Sequence, residues 1–360
     1  MTIVTDAPAR PFAQAAERFP TVLWNDSADP EELRRSIALG AVGATCNPVI
    51  ALTAIRNRPD VWKPRLQELA ADHPTWGESE LGWQAVKDLS IEAARLLEPA
   101  FVASGGRDGR LSIQTDPRLH RDVDALVAQA VEFSQLAENI IVKIPATATG
   151  IAAMEEAAFR GVSINATLSF TVPQAIAVGE ALERALDRRR EAGLAEREFG
   201  HVVTIMGGRL DDWLKAWTAK NRILAAPGTL DWAGVAALKK AHAVFTARGF
   251  RSRILSAAFR NHLQWSELVG GDLVISPPFD WQHRIDSNGI LAEDRIAEPV
   301  PAAILDELMS LSEFRRAYDV DGMRPEEFAD FGAARNTLRH FLDADAQLDA
   351  LVRDILVPAA

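Results

Sequence analysis

Short apolar runs alternate with long amphipathic stretches along this chain, and that alternation limits the folds open to it. Eight runs read as strands: TVLWND (Thr21–Asp26), AVGATC (Ala41–Cys46), RLSIQTD (Arg110–Asp116), NIIVKIPA (Asn139–Ala146), VSINATLSF (Val162–Phe170), HVVTIM (His201–Met206), RILSAAF (Arg253–Phe259) and DLVISPP (Asp272–Pro278). Helical patterns such as HRDVDALVAQAVEFSQLA and PQAIAVGEALERALDRRREAG separate most of them. Strand–helix alternation of this kind implies a parallel sheet. Eight units closing on themselves give an α/β fold, a (β/α)8 TIM barrel, with its site at the C-terminal ends of the strands. The chain before Thr21 reads as a helical lead-in, and Pro59–Pro99 as a Trp-containing helical insertion between the second and third strands. Residues 1–300 are assigned to the barrel. Residues 301–360 read as helices packed on it, not as an independent domain, because no Pro/Gly/Ser linker precedes them.

Composition narrows the function. The chain has 360 residues, 25% of them charged, with a net charge of -11, which argues against a general nucleic-acid partner. Anionic small molecules stay open, since two well-placed arginines bind a phosphate on an acidic protein. Cys46 is the only cysteine, so neither an intrachain disulfide nor a thiolate metal cluster is expected. The first twenty residues lack the apolar core of a signal peptide, and no apolar run is long enough to span a bilayer. A cytoplasmic protein without a membrane partner is the expectation. No G-x-G-x-x-G follows a strand, and neither G-x-x-x-x-G-K-[ST] nor H-E-x-x-H occurs, so no nucleotide, flavin or metal cofactor is expected. Assembly into a homo-oligomer is left open.

Polar residues gather where the strands end: Asp26, Thr45, Asn47, Gln114, Lys143, Asn165, Thr167, Thr204 and Ser256. A barrel mouth is where catalytic groups from several strands converge. Lys143 stands out among the seven lysines, because the others lie mostly in polar, helix-like surroundings. Burial disfavours its ammonium form and leaves a neutral amine, which attacks carbonyls to form a Schiff base. The plainer reading is a lysine whose stem packs in the strand while its head reaches solvent. Flanking Ile141, Val142, Ile144 and Pro145 weigh against that reading.

Six segments then carry a family resemblance. VKIPAT around Lys143 resembles the active-site strand of transaldolases. GATCNP (Gly43–Pro48) is similar to that family's GATTNP, SIQTDPRL (Ser112–Leu119) to SxEVDPRL, and INATLSFT (Ile164–Thr171) to NVTLIFS. WNDS (Trp24–Ser27) falls where the family has its first-strand Asp, and AAFRN (Ala257–Asn261) is similar to GASFRN. The matches keep the family's order over roughly Thr21 to Pro278.

The resemblance implies transfer of a dihydroxyacetone (ketol) unit between sugar phosphates through a Schiff base. Lys143 would be the imine lysine, and Asp26 the general acid/base. Thr167 would hold the catalytic water together with Gln114. Thr45, Asn47 and Asn165 would bind the sugar, Thr204 would lie near it, and Arg209 and Arg260 would grip the phosphate. Each has a plainer alternative. Asp26 could cap a helix, Asn47 before Pro48 could be turn chemistry, and the two arginines could be surface ion-pair partners. Asp211 and Asp212 read as helix-start charges and not as metal ligands. Gln114 departs from the usual family Glu and is similar to the fructose 6-phosphate aldolase branch. That branch pairs it with a Tyr, whereas the one tyrosine here is Tyr318 and the expected position holds Met206. Ala258 also replaces a family Ser. An aldolase on the same scaffold, a repurposed imine-forming enzyme and a non-catalytic sugar-phosphate binder are the alternatives.

Overall fold

A computed structural model describes residues 11–195 and 197–358. α1 (Pro11–Arg18) leads into β1 (Val22–Asn25), then α2 (Pro30–Ala38), β2 (Ala41–Thr45), α3 (Pro48–Asn57), α4 (Pro59–Asp72) and α5 (Glu78–Ala103). Next come β3 (Arg110–Gln114), α6 (Val123–Ser134), β4 (Ile140–Pro145), α7 (Ala148–Phe159), β5 (Ile164–Thr167), α8 (Val172–Glu191), β6 (Val202–Ile205) and α9 (Gly207–Lys220). α10 (Ala233–Arg248), β7 (Arg253–Ser256), α11 (Leu263–Ser266), β8 (Leu273–Ile275) and α12 (Phe279–Ser287) complete the ring. α13 (Ala302–Ser310), α14 (Ser312–Tyr318) and α15 (Gly332–Leu356) follow. The strands form a closed barrel in the order β1 to β8, every pair parallel, with β8 returning to β1. The helical lead-in is present as α1, and its first ten residues lie outside the described ones.

All eight expected strands form, but each ends one to three residues before its apolar run does. Helix caps take over there. Asn47 accepts from the amides of Val49 and Ile50 to start α3, and Thr171 accepts from Gln174 to start α8. Those backbones leave the sheet ladder because capping satisfies the first helical N–H groups. The Pro59–Pro99 insertion is α4 and most of α5, and both run through an internal proline.

Two apolar layers hold the barrel. One lies between the sheet and the helices. The other fills the interior with Trp24, Ile141, Val202, Leu255, Ala257 and Val274. Side-chain alternation explains the interior set: Trp24, Ile141, Val202, Leu255 and Val274 come from five different strands at similar height. Trp24 fits only because β2 offers Gly43. A Cβ there would stand 2.4 Å from Trp24 Cε2. The indole thus plugs the barrel beneath the polar residues at the mouth.

α15 runs across α3, α4, α5 and α9, while α14 packs on α8, α9 and α10. The Trp213 indole on α9 donates to Glu313 Oε1 on α14 at 2.8 Å. Arg118, in the turn after β3, sits 3.1 Å from Asp345 Oδ2 on α15. Among the described residues, no helix is long and apolar enough to cross a membrane.

Candidate active site

Lys143 lies near the C-terminal end of β4 and is 2% exposed. Its strand neighbours are Gln114 on β3 and Asn165 on β5, each in register with it. Burial pushes its ammonium below the ordinary lysine range. The carboxylate of Asp26 and the Cys46 sulfur pull the other way, and Arg209 adds to the depression. Loss of hydration outweighs those opposing charges, so the balance shifts toward the neutral amine. The alternative with an exposed lysine head does not hold.

Asp26 follows β1 directly. Its Oδ1 accepts a hydrogen bond from Thr45 Oγ1 at 2.6 Å, and Thr45 is itself fully buried at the end of β2. The helix-cap alternative fails for Asp26, because Asp29 caps α2, accepting from the amides of Glu31 and Glu32. Asn25 helps hold this strand end. Its Nδ2 donates to Glu32 Oε1 and its Oδ1 accepts from Gln282. Cys46 is buried beside the same groups, and its thiol is pushed up to about 12, chiefly by burial. A thiol in that state is an inert small side chain.

Gln114 ends β3 with its Oε1 buried and without a partner among the described residues. A buried amide oxygen left open is an acceptor for a water or a substrate hydroxyl. Thr167, at the end of β5, is fully buried, and among the described residues its hydroxyl meets only Met206 Sδ at 3.9 Å. A thioether is a weak acceptor, so this hydroxyl too stays available. Asn165 differs. Its Nδ2 donates to Ser112 Oγ at 2.9 Å and its Oδ1 accepts from Thr204 Oγ1 at 2.7 Å. Asn165, Thr204 and Ser112 therefore form a polar bridge across β3, β5 and β6. Asn47 divides its amide: Oδ1 caps α3 at 2.9 Å and 3.0 Å, which is the turn-chemistry alternative, and Nδ2 faces no protein acceptor among the described residues.

Arg209 and Arg260 approach each other because two loops touch. A Cβ on Gly208 would lie 1.9 Å from the carbonyl oxygen of Ala258, so only glycine lets the turn after β6 meet the loop after β7. Ala258 itself has φ 62 and Leu168, after β5, has φ 48. Non-glycine residues held in this region cluster at functional loops. Arg209 is partly buried and its guanidinium is held below the ordinary range by burial and then by Arg260. It reaches Thr337 Oγ1 at 3.4 Å and His340 Nδ1 at 3.3 Å, both on α15. Arg260 pairs with Asp212 at 2.8 Å on the surface, so the ion-pair alternative holds for it in this state. Asp211, read from sequence as a helix-start charge, is instead fully buried, accepts from Gly234 N at 2.7 Å and has its carboxyl raised by burial well above the usual range. Its side chain ties α9 to α10.

Sequence reading missed the side chains that brace the mouth. Gln174 on α8 donates to the carbonyls of Ala146 and Leu168 and accepts from Phe170 N. Gln264 on α11 accepts from Arg260 N and donates to Ala257 O. Gln282 on α12 donates to Pro277 O. All three are fully buried. Each satisfies backbone groups where a strand has just stopped pairing, which is where buried orphans cost most.

The sequence profile described as Transaldolase/Fructose-6-phosphate aldolase matches residues 23–330. Transaldolase 1 of Streptomyces avermitilis is 34% identical over 211 residues, 57% of this chain and 53% of its own length. A transaldolase of Mycolicibacterium smegmatis is 32% identical over 57% of this chain and 55% of its own. The alignments with these two span about half of each relative. A transaldolase of Chlamydia pneumoniae is 29% identical over 317 residues, 85% of this chain and 86% of its own. Barrel, strand order and profile agree, and the chain belongs to the transaldolase/fructose-6-phosphate aldolase family.

Proposed function

We propose that this protein transfers a dihydroxyacetone unit between sugar phosphates through a Schiff base on Lys143. The observation that carries the reading is a fully enclosed lysine with a depressed ammonium, within the electrostatic reach of Asp26. The Lys143 amine adds to a ketose carbonyl, and loss of water gives an iminium. The hydroxyl beta to that carbon gives its proton to Asp26, the carbon–carbon bond breaks, and its electron pair enters the iminium to form an enamine. An aldehyde leaves. The enamine attacks a second aldehyde, Asp26 returns the proton, and water hydrolyses the new iminium. Thr167 and Gln114 position that water, which the open Gln114 Oε1 supports.

In this reading Asn47 Nδ2 and Thr45 contact the sugar, and the bridge of Asn165, Thr204 and Ser112 shapes the ketol pocket. Arg209 and Arg260 take the phosphate, with Asp212 giving way to it. The 301–360 helices belong to the same folding unit, as the lodging of α15 against α3 and α5 supports. The reaction is assigned to the cytoplasm. A second reading, aldol cleavage without an acceptor, is favoured by Gln114, which cannot ionise as a carboxylate would.

Transfer from fructose 6-phosphate to erythrose 4-phosphate tests the choice, run for wild type and Gln114→Glu. Transfer by wild type supports the first reading; transfer by Gln114→Glu alone would show that Gln114 blocks it and would count against that reading. Release of free dihydroxyacetone with no transfer by either supports the second. Neither activity, with an imine still trapped on another carbonyl compound, would reject both.

A further inference from the structure

The end of the barrel opposite Lys143 holds a cavity of about 390 Å³ beside the starts of β6 and β7. Among the described residues its wall carries five arginines, Arg107, Arg189, Arg197, Arg251 and Arg253, against two acids, Glu198 and Asp272. The base of a barrel commonly holds charges that serve stability. That accounts for part of the cluster: Arg253 pairs with Asp108 at 2.8 Å, Arg251 with Glu183 at 2.8 Å, and Arg107 with Asp272.

It does not account for the rest. Among the described residues no carboxylate pairs with Arg189 or Arg197. Arg189 donates to the carbonyls of Phe159 and Ala195, and Arg197 to that of Gly161. Both guanidinium groups stand over the Phe199 ring, at 5.1 Å and 4.7 Å from its centroid. His201 stacks on that ring and is 3% exposed. Its Nδ1 accepts from Ile164 N at 3.0 Å, so in the neutral ring the proton sits on Nε2. That Nε2–H is buried in the cavity wall with no acceptor among the described residues. The arginines, and not that enclosed nitrogen, call for an anion: five guanidinium groups against two carboxylates in one cavity wall, two of the five without a carboxylate partner among the described residues, leave positive charge for an anion to balance.

We infer that this cavity binds a small, multiply charged phosphate compound, either a diphosphate or a phosphate ester, at a site separate from the barrel mouth. The volume suits a small metabolite, and planar guanidinium forks suit phosphate oxygens. The site does not depend on the reading of Lys143.

Pyrophosphate is the probe, titrated by calorimetry into an Arg209→Gln/Arg260→Gln background that removes the mouth arginines. One equivalent should bind. Adding Arg189→Gln and Arg197→Gln should weaken binding about ten-fold or more, as loss of charged hydrogen bonds does, with the thermal melt confirming a folded protein. A measurement on the unaltered chain needs no variant: phenylglyoxal labelling, mapped by peptide mass, should show pyrophosphate protecting Arg189 and Arg197, and sodium chloride at equal ionic strength should not. Absence of binding in the background protein, unchanged binding in the four-site variant, or equal protection by chloride would each overturn the inference.

Discussion

A single methyl group at Gly43 should unsettle the barrel and its chemistry together. The Cβ of Gly43→Ala would lie 2.4 Å from Trp24 Cε2 and 2.5 Å from Cδ2 and Nε1. The indole is fully buried, with Ile141, Val202, Leu255 and Val274 in the same interior layer, so it has little room to retreat. Overpacking of this kind costs about 1–3 kcal/mol, and contact with a rigid ring places Gly43→Ala at the upper end. For a chain of 360 residues, an unfolding entropy of about 2.1 cal/mol/K per residue sums to about 0.76 kcal/mol/K. A loss of about 3 kcal/mol then lowers Tm by about 4 °C. Asp26 lies two residues beyond Trp24, and Thr45 two beyond Gly43, so the 2.6 Å bond between them should be disturbed and kcat should fall with Tm. Thermal melts followed by circular dichroism, with a transfer assay in parallel, read both effects. Trp24→Leu in the Gly43→Ala background should recover part of the lost Tm, since the two residues share one space. An unchanged or raised Tm in Gly43→Ala would refute the argument.

Other expectations follow from the same geometry. Asp26→Asn should slow carbon–carbon cleavage by about 10²–10⁴-fold, far more than Gln114→Ala does; equal losses in steady-state rates would put the acid/base role elsewhere. Arg260→Ala should raise KM for a phosphorylated sugar by about ten-fold or more and leave the free sugar unaffected; equal changes for the two would remove the phosphate role. Asp345 has its carboxyl raised from 3.8 to about 6, first by burial and then by Asp116, against the pull of Arg118. A folded value above the unfolded one means a contribution fully present below about pH 4 and lost as pH rises through about 6. Asp345→Asn cannot ionise, so its Tm should decline less than wild type across that window; identical slopes would contradict this assignment.

The strands are legible because a short β-branched run has few other destinations, and so are the places of Lys143, Gln114, Thr45 and Thr167 near the strand ends, because polar residues inside such runs need a reason. The last residue of each strand is not, since Asn47 and Thr171 look the same in a strand as in a cap until the following helix claims them. Gln174, Gln264 and Gln282 resemble surface polar residues in a helical pattern; only the loop carbonyls brought beneath them by the fold reveal their work. The approach of His340 to Arg209 spans 131 residues of sequence and has no local signal. Asp211 comes just after the first turn of α9 and looks like a helix-start charge in the sequence, yet the packing of α10 buries it.

The central claim is that Lys143 forms the covalent intermediate. Borohydride reduction in the presence of fructose 6-phosphate, read by intact mass and peptide mapping, tests it most directly. One reduced ketose adduct should appear on wild type and map to the peptide containing Lys143, and none should appear on Lys143→Met, which should remain folded. The same adduct on Lys143→Met, or on wild type at a surface lysine such as Lys215, would contradict the account.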